Sequence, residues 1–174
     1  MSDYCILSIY SPKYGWHEAL VDAEKYDLAM RVDTAWGVHW NKHTETFYVR
    51  RNIIGPHRRY KGEKQMLHHL VFVHPPQGLV VDFINHNGLD CRLENLRLAT
   101  PKQDQGNRLK IWSSTSPYKG VTFNQKKKVW QARLLMNGVR TNLGSFKTAE
   151  EAARAYNAAA QDYFGEFALL NEVA

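Results

Sequence analysis

The chain has 174 residues, 44% of them hydrophobic, with 23 Lys and Arg against 17 Asp and Glu, for a formal charge of +6. That length holds one ordinary domain or two small ones, and the apolar share argues against wholesale disorder. The basic balance favours a polyanionic partner, since each neutralised phosphate releases condensed counterions.

Residues 17–32 read as a short strand running into a short helix. Trp36, Val38 and Trp40, then Phe47, Tyr48 and Val49, are separated by the polar stretch 41–46, which signals a hairpin. Residues 53–62 carry Gly55, Pro56, Arg58, Arg59 and Lys61 and read as a loop or hairpin connection. Residues 66–73 are apolar enough for a short helix, stopped by Pro75 and Pro76. A β-branched strand follows at 79–84, then a polar loop at 85–88 and a partner strand at 96–100. Thr100 and Pro101 supply a capping hydroxyl and a first-turn proline for a helix reaching about residue 110. Residues 113–117 make the best linker in the chain.

Beyond it, strands are predicted at 118–124, 129–136 and 139–143, with turns at Lys126–Lys128 and at Asn137-Gly138. Thr148 and Glu151 form a capping box ahead of a helix whose apolar face carries Ala152, Ala153, Tyr156, Ala160 and Tyr163. Strand alternation turns Val121, Phe123, Trp130, Ala132, Leu134, Val139 and Leu143 toward that helix. Thr122, Asn124, Gln131, Arg133, Arg140 and Asn142 then face outward, where arginine can match guanine and an amide can match adenine. The expected architecture is α+β: a β-rich module at 1–112, and at 113–174 a three-stranded antiparallel sheet packed on one helix.

Charge and cysteines narrow the chemistry further. Arg50, Arg51, Arg58, Arg59, Lys61 and Lys64 lie close together with only Glu63 opposing. Cys5 and Cys91 form no C-x-x-C pair, which argues against a paired-cysteine zinc site or a disulfide framework. No apolar run approaches membrane-spanning length and no signal-peptide core opens the chain, so a soluble cytoplasmic protein without a membrane partner is expected.

Residues 66–108, with Leu67-His68-His69-Leu70, Val80-Val81-Asp82, Asn87-Gly88-Leu89-Asp90-Cys91-Arg92 and Glu94-Asn95-Leu96-Arg97-Leu98-Ala99-Thr100, resemble the HNH motif of phage and bacterial homing endonucleases. Residues 117–171, with Tyr118-Lys119-Gly120-Val121, Trp130, Ala132-Arg133, Leu143-Gly144-Ser145-Phe146, Ala152-Ala153-Arg154-Ala155-Tyr156 and Asn171, resemble the AP2 domain. The first resemblance implies a strand–strand–helix (ββα) metal finger at about 78–110. It also implies hydrolysis of DNA phosphodiesters with one divalent metal, Mg²⁺ or Mn²⁺, inside a bacterial or phage-infected cell. The second implies that the C-terminal sheet reads double-stranded DNA. Both families suggest a monomer.

Mapped residue by residue, the resemblance makes Asp82 and Asp104 the metal ligands and Asn95 the residue that ties the finger's loop. The general-base position holds Phe83, which has no lone pair, so His86 or His68 would have to substitute. Aspartate at 104, where Asn or His is usual, remains a good oxygen ligand for a hard cation. Arg58, Arg59, His69 and Arg97 join the candidate DNA contacts, with Lys119 and Lys127 on phosphates. Two readings stay open: an active endonuclease, and a non-catalytic DNA-binding or regulatory protein derived from one.

Overall fold

A computed structural model describes residues 3–31, 35–53, 64–72, 75–109 and 115–173. Contacts divide the chain into two compact units, Met1–Ala99 and Thr100–Ala174. The architecture is α+β, built from small antiparallel sheets.

In the first unit, β1 (Tyr4–Ser11) and β2 (Gly15–Asp22) form a hairpin closed by Gly15 at φ +80°. Leu7, Ile9, Ala19 and Val21 are buried on its inner face, whereas Ile6, Tyr10 and Trp16 stay exposed. The sequence gives no warning of β1, because both of its faces are apolar and alternation shows only as burial. Asp22 precedes α1 (Ala23–Met30), whose Ala29 carbonyl accepts the Trp36 indole N–H at 2.8 Å. Then β3 (Gly37–Asn41), β4 (Thr46–Asn52) and β5 (Lys64–Met66) make a sheet in that order. The helix expected at 66–73 is one 3-10 turn, Leu67–Leu70, with Leu67 and Leu70 buried.

β6 (Val80–Phe83) and β7 (Leu96–Ala99) pair antiparallel with Asp82 opposite Arg97 and Phe83 opposite Leu96. The loop joining them docks on the rest of the unit by backbone. Leu20 N–H donates to Leu89 O and Cys91 N–H to Leu20 O, each at 2.8 Å. Gly88 N–H donates to Thr46 Oγ1 at 3.1 Å. A Cβ at Gly88 would collide with the Phe47 carbonyl oxygen and the Tyr48 ring, so only glycine lets the loop lie this close.

In the second unit, β8 (Val121–Asn124), β9 (Val129–Met136) and β10 (Val139–Phe146) form a sheet with β9 central. A bulge between Asn142 and Gly144 interrupts its β9–β10 register. α3 (Ala149–Phe164) starts at the capping box of Thr148 and Glu151 and lays Ala152, Ala153, Tyr156 and Ala160 on the sheet. Small alanines permit that close approach. Val139, expected to meet the helix, is 65% exposed because it sits beside the hairpin tip at the end of the sheet.

α2 (Pro101–Asn107) begins at a capping box of Thr100 and Gln103 and ends three residues short of the expected limit. It packs on α3, and a Cβ at Gly106 would lie 2.7 Å from the Phe164 ring. The Gly106 carbonyl accepts both Leu169 N–H at 3.0 Å and Lys119 Nζ at 2.7 Å. These bonds hold α2 within the second unit, Thr100–Ala174; residues 110–114 lie outside the described set. No helix among the described residues is long and apolar enough to cross a membrane.

The Gly88 contact yields a direct test. Gly88→Ala is expected to destabilise the first unit by about 1–3 kcal/mol, because the backbone carbonyl it meets cannot rotate away. Urea unfolding of the full chain checks this, and an unchanged midpoint would mean that the loop is not held against β4.

Candidate functional site

The loop between β6 and β7 is organised around the buried carboxylate of Asp90. Arg92 grips it with Nε and Nη2, both at 2.8 Å, and Asn85 Nδ2 donates at 3.0 Å. Burial works against the charge, but the Arg92 and Asn85 hydrogen bonds and the Arg92 charge outweigh it and hold the carboxyl below its ordinary range. Asn95 ties the same loop: its Oδ1 accepts Asn85 N–H at 2.9 Å and its Nδ2 donates to the Asp90 carbonyl at 2.8 Å. Both ends of its amide are thus spent on holding backbone. Cys91, beside Asp90, is fully buried, and burial with the adjacent carboxylate pushes its thiol up to about 12.

Asp82 is buried on β6, and its Oδ2 accepts Arg97 Nε from the paired strand at 2.8 Å. Arg97, expected among the DNA contacts, is therefore engaged with the candidate metal ligand. In the second unit, Asp104 accepts Arg108 Nη2 at 3.1 Å, an exposed pair one helical turn apart. Among the described residues no three His, Cys, Asp or Glu side chains cluster as a metal centre. The donor chemistry nevertheless fits a hard cation, because Asp82 is a buried carboxylate that already draws a positive partner. A bound metal would compete with Arg97 for that oxygen.

Phe83 does not face solvent. It is 7% exposed, with ring centroids 5.5 Å from Tyr48 and 5.1 Å from His68, both edge-on. The residue at the family's base position is thus a core aromatic. His68 shares this pocket at 8% exposure, and burial, reinforced by neighbouring His69, pushes its imidazole down to about 3. Such a histidine stays neutral and is a weak base, which argues against it as the substitute suggested by sequence. His86 lies in the loop, half-buried, at φ +63°, in a turn where its N–H donates to the Phe83 carbonyl.

The expected DNA contacts separate in the structure. Thr122, Lys127, Arg133, Arg140 and Asn142 are exposed, whereas His69 and Asn124 are half-buried. Gln131 alternates outward as expected, yet is only 9% exposed, beneath its neighbours. Lys119, expected on phosphate, instead spends its ammonium on the C-terminal end of α2, and burial, with Arg108 nearby, lowers it to about 8. Its backbone is clamped as well: Asn171 Oδ1 accepts Lys119 N–H at 2.6 Å and Asn171 Nδ2 donates to its carbonyl at 3.1 Å. Arg58 and Arg59 lie outside the described residues. The sequence flags Arg50, Arg51 and Lys64 only as charge; the structure lines them along one shallow groove with Gly37, Val38 and Asn52.

A family model described as HNH endonuclease matches residues 66–105. The chain is 38% identical over 98 residues to an uncharacterized HNH endonuclease, L560, of Acanthamoeba polyphaga mimivirus; the match covers 56% of this chain and 50% of that protein. It is 32% identical over 93 residues to Protein 3.8 of Escherichia phage T7, covering 53% of this chain and 76% of that one. A 61-residue stretch is 41% identical to the AP2-like ethylene-responsive transcription factor TOE2 of Arabidopsis thaliana, covering 35% of this chain and 13% of that protein. The chain thus spans half the length of the mimivirus protein. No solved structure matches.

Two measurements follow from these environments. His68 has a folded pKa below its ordinary 6.5, so its stabilising contribution is complete above that value and shrinks as pH falls, when only the unfolded chain takes up the proton. Stability should therefore drop by on the order of 1 kcal/mol per pH unit below roughly 6.5, and His68→Leu should flatten that slope. Urea midpoints at pH 7.5 and 5.5 decide it, and identical slopes for both proteins would mean that His68 titrates normally. Lys119→Met should lower the melting temperature of the second unit while leaving the salt dependence of any duplex-DNA binding unchanged. A shallower salt slope would instead place Lys119 on phosphate.

Proposed function

This chain belongs to the HNH endonuclease family, and we propose that it is a monomeric, sequence-selective DNA endonuclease of the homing type that hydrolyses phosphodiester bonds slowly. The observation that carries the reading is the β6–β7 loop. Asp90, Arg92, Asn85 and Asn95 hold it rigidly, with Asp82 at its edge as a buried carboxylate able to serve a cation.

A divalent metal, Mg²⁺ or Mn²⁺, would stabilise charge developing on the phosphate, and Asp82 is the carboxylate of the first unit that would hold it. The chain's own residues supply the rest. Arg97 balances Asp82 in the resting protein and would be released toward a phosphate oxygen when a cation takes the carboxylate. Phe83 excludes water from beneath the strand and moves no proton. His86 is the remaining imidazole of the loop and takes the proton from the attacking water. The second unit, read as an AP2-like module, selects the site through the outward face of β8, β9 and β10. Arg50, Arg51 and Lys64 add sequence-independent affinity for the backbone.

The burial of Phe83 and the Arg97–Asp82 pair favour a second reading, in which the same chain binds DNA without cutting it. Single-turnover nicking of supercoiled plasmid, with Mg²⁺ and with EDTA, separates the two. The endonuclease reading expects slow metal-dependent nicking, lost in Asp82→Ala and reduced by about 10²–10⁴-fold in His86→Ala. Phe83→His is expected to gain nothing, because burial in the pocket of His68 would leave an imidazole there with little affinity for a proton. No nicking by the parent at any metal concentration, with DNA binding intact, leaves the non-catalytic reading standing.

A further inference from the structure

The outward face of the second unit's sheet holds a hydrogen-bond relay that divides its polar residues into two kinds. Register places Gln131 between Thr122 on β8 and Ser145 on β10, and Arg133 opposite Asn142. Gln131 alternates onto this face, yet it is only 9% exposed. Its Oε1 accepts Arg133 Nη2 at 2.8 Å and Asn124 Nδ2 at 3.4 Å. Asn124 is committed at its other end as well: Oδ1 accepts Lys126 N–H and Lys127 N–H, each at 3.1 Å. One chain of bonds therefore runs from the lysine turn through Asn124 and Gln131 to the guanidinium of Arg133.

Reading adenine takes one amide that offers an acceptor and a donor together. Asn124 has spent its acceptor on the lysine turn, and Gln131 is nearly buried with its acceptor on Arg133 and Asn124, so neither presents that pair to a groove. Arg133 differs. A guanidinium carries five N–H donors in a planar fork, and one bond to Gln131 leaves enough for the two acceptors on a guanine edge. A free arginine side chain also loses considerable rotamer entropy on binding, and a tether made before DNA arrives reduces that loss.

We infer that Gln131 is a positioning residue that orients Arg133 toward a guanine, and that Asn124 couples this arginine to the phosphate-facing lysine turn rather than reading a base itself. The inference rests on the reading above that this face meets duplex DNA. Sequence specificity in this unit then depends on a residue that never touches the base.

The test is selection of a random-sequence duplex pool by the full chain, with affinity for an alternating A·T duplex measured alongside at several salt concentrations. The parent should enrich guanine at one position, and Arg133→Ala should lose that enrichment. Gln131→Met removes the acceptor at nearly constant volume and should cut the guanine preference about tenfold while leaving A·T affinity and salt slope unchanged. Gln131→Glu keeps the acceptor and should retain the preference. If Gln131→Met does not fold, Gln131→Ser, too short to reach Arg133, takes its place under the same criteria. Full guanine preference without the acceptor, where Arg133→Ala loses it, overturns the positioning role. So does an equal loss on all sequences. A parent with no base preference overturns the reading of the face itself, and the inference with it.

Discussion

A buried carboxylate must find partners or lose its charge, and Asp90 meets that constraint with a bidentate guanidinium and an amide drawn from its own loop. The loop's course follows from that requirement. Arg92 must fold back on Asp90, and it also pairs with Glu94; Asn85 must turn in, and Asn95 then closes the backbone from the far side. With the knot tied, Leu89 and Cys91 are presented to the edge of β2 and Gly88 to β4. The N-terminal hairpin and the middle sheet thereby become the bed on which β6 and β7 lie. The short strands that carry Asp82 and Phe83 could not stand alone, since an isolated hairpin is at best marginally stable in water.

What was legible in the sequence follows the locality of the physics. The Asn137-Gly138 turn, the capping hydroxyl of Thr100, the capping box at Thr148 and the alanine face of α3 depend on residues close in sequence, and each is found. The loop-tying role of Asn95 comes from the family resemblance and not from any local pattern; in the structure its amide bonds Asn85 N–H and the Asp90 carbonyl. What stayed hidden depends on residues distant in sequence. Nothing near Gly106 says that Phe164 will lie against it and draw α2 into the second unit. Alternation turns Gln131 outward but cannot say that Arg133 and Asn124 will both bond its amide oxygen. Phe83 could be read as a missing base, whereas its burial beside Tyr48 and His68 depends on a strand and a 3-10 turn well upstream of it.

The candidate centre and its support carry opposite demands. A metal ligand gains from an available carboxylate, whereas a buried carboxylate without a partner is costly, and removing one member of such a pair leaves an uncompensated charge. Arg97 resolves the conflict in the resting protein by lying across the strand pair on Asp82. The aromatic cluster beneath does the reverse. Phe83, Tyr48 and His68 stabilise by packing and by staying dry, and a dry pocket is where an imidazole is least able to accept a proton. Stability in this region and basicity at position 83 therefore pull against each other, and the residues present side with stability.

Cys91 gives the knot a further consequence. Its thiol is sealed from solvent, donates toward the Gly88 carbonyl, and is held protonated by burial and by Asp90. Thiolate is the species that alkylating reagents attack, so in the folded chain this sulfur is chemically silent, whereas Cys5 on the hairpin is partly accessible. The reactivity of Cys91 then becomes a clock for the loop. Each alkylation marks one moment at which the Asp90 knot has come undone, and the rate of marking measures how often this part of the molecule breathes.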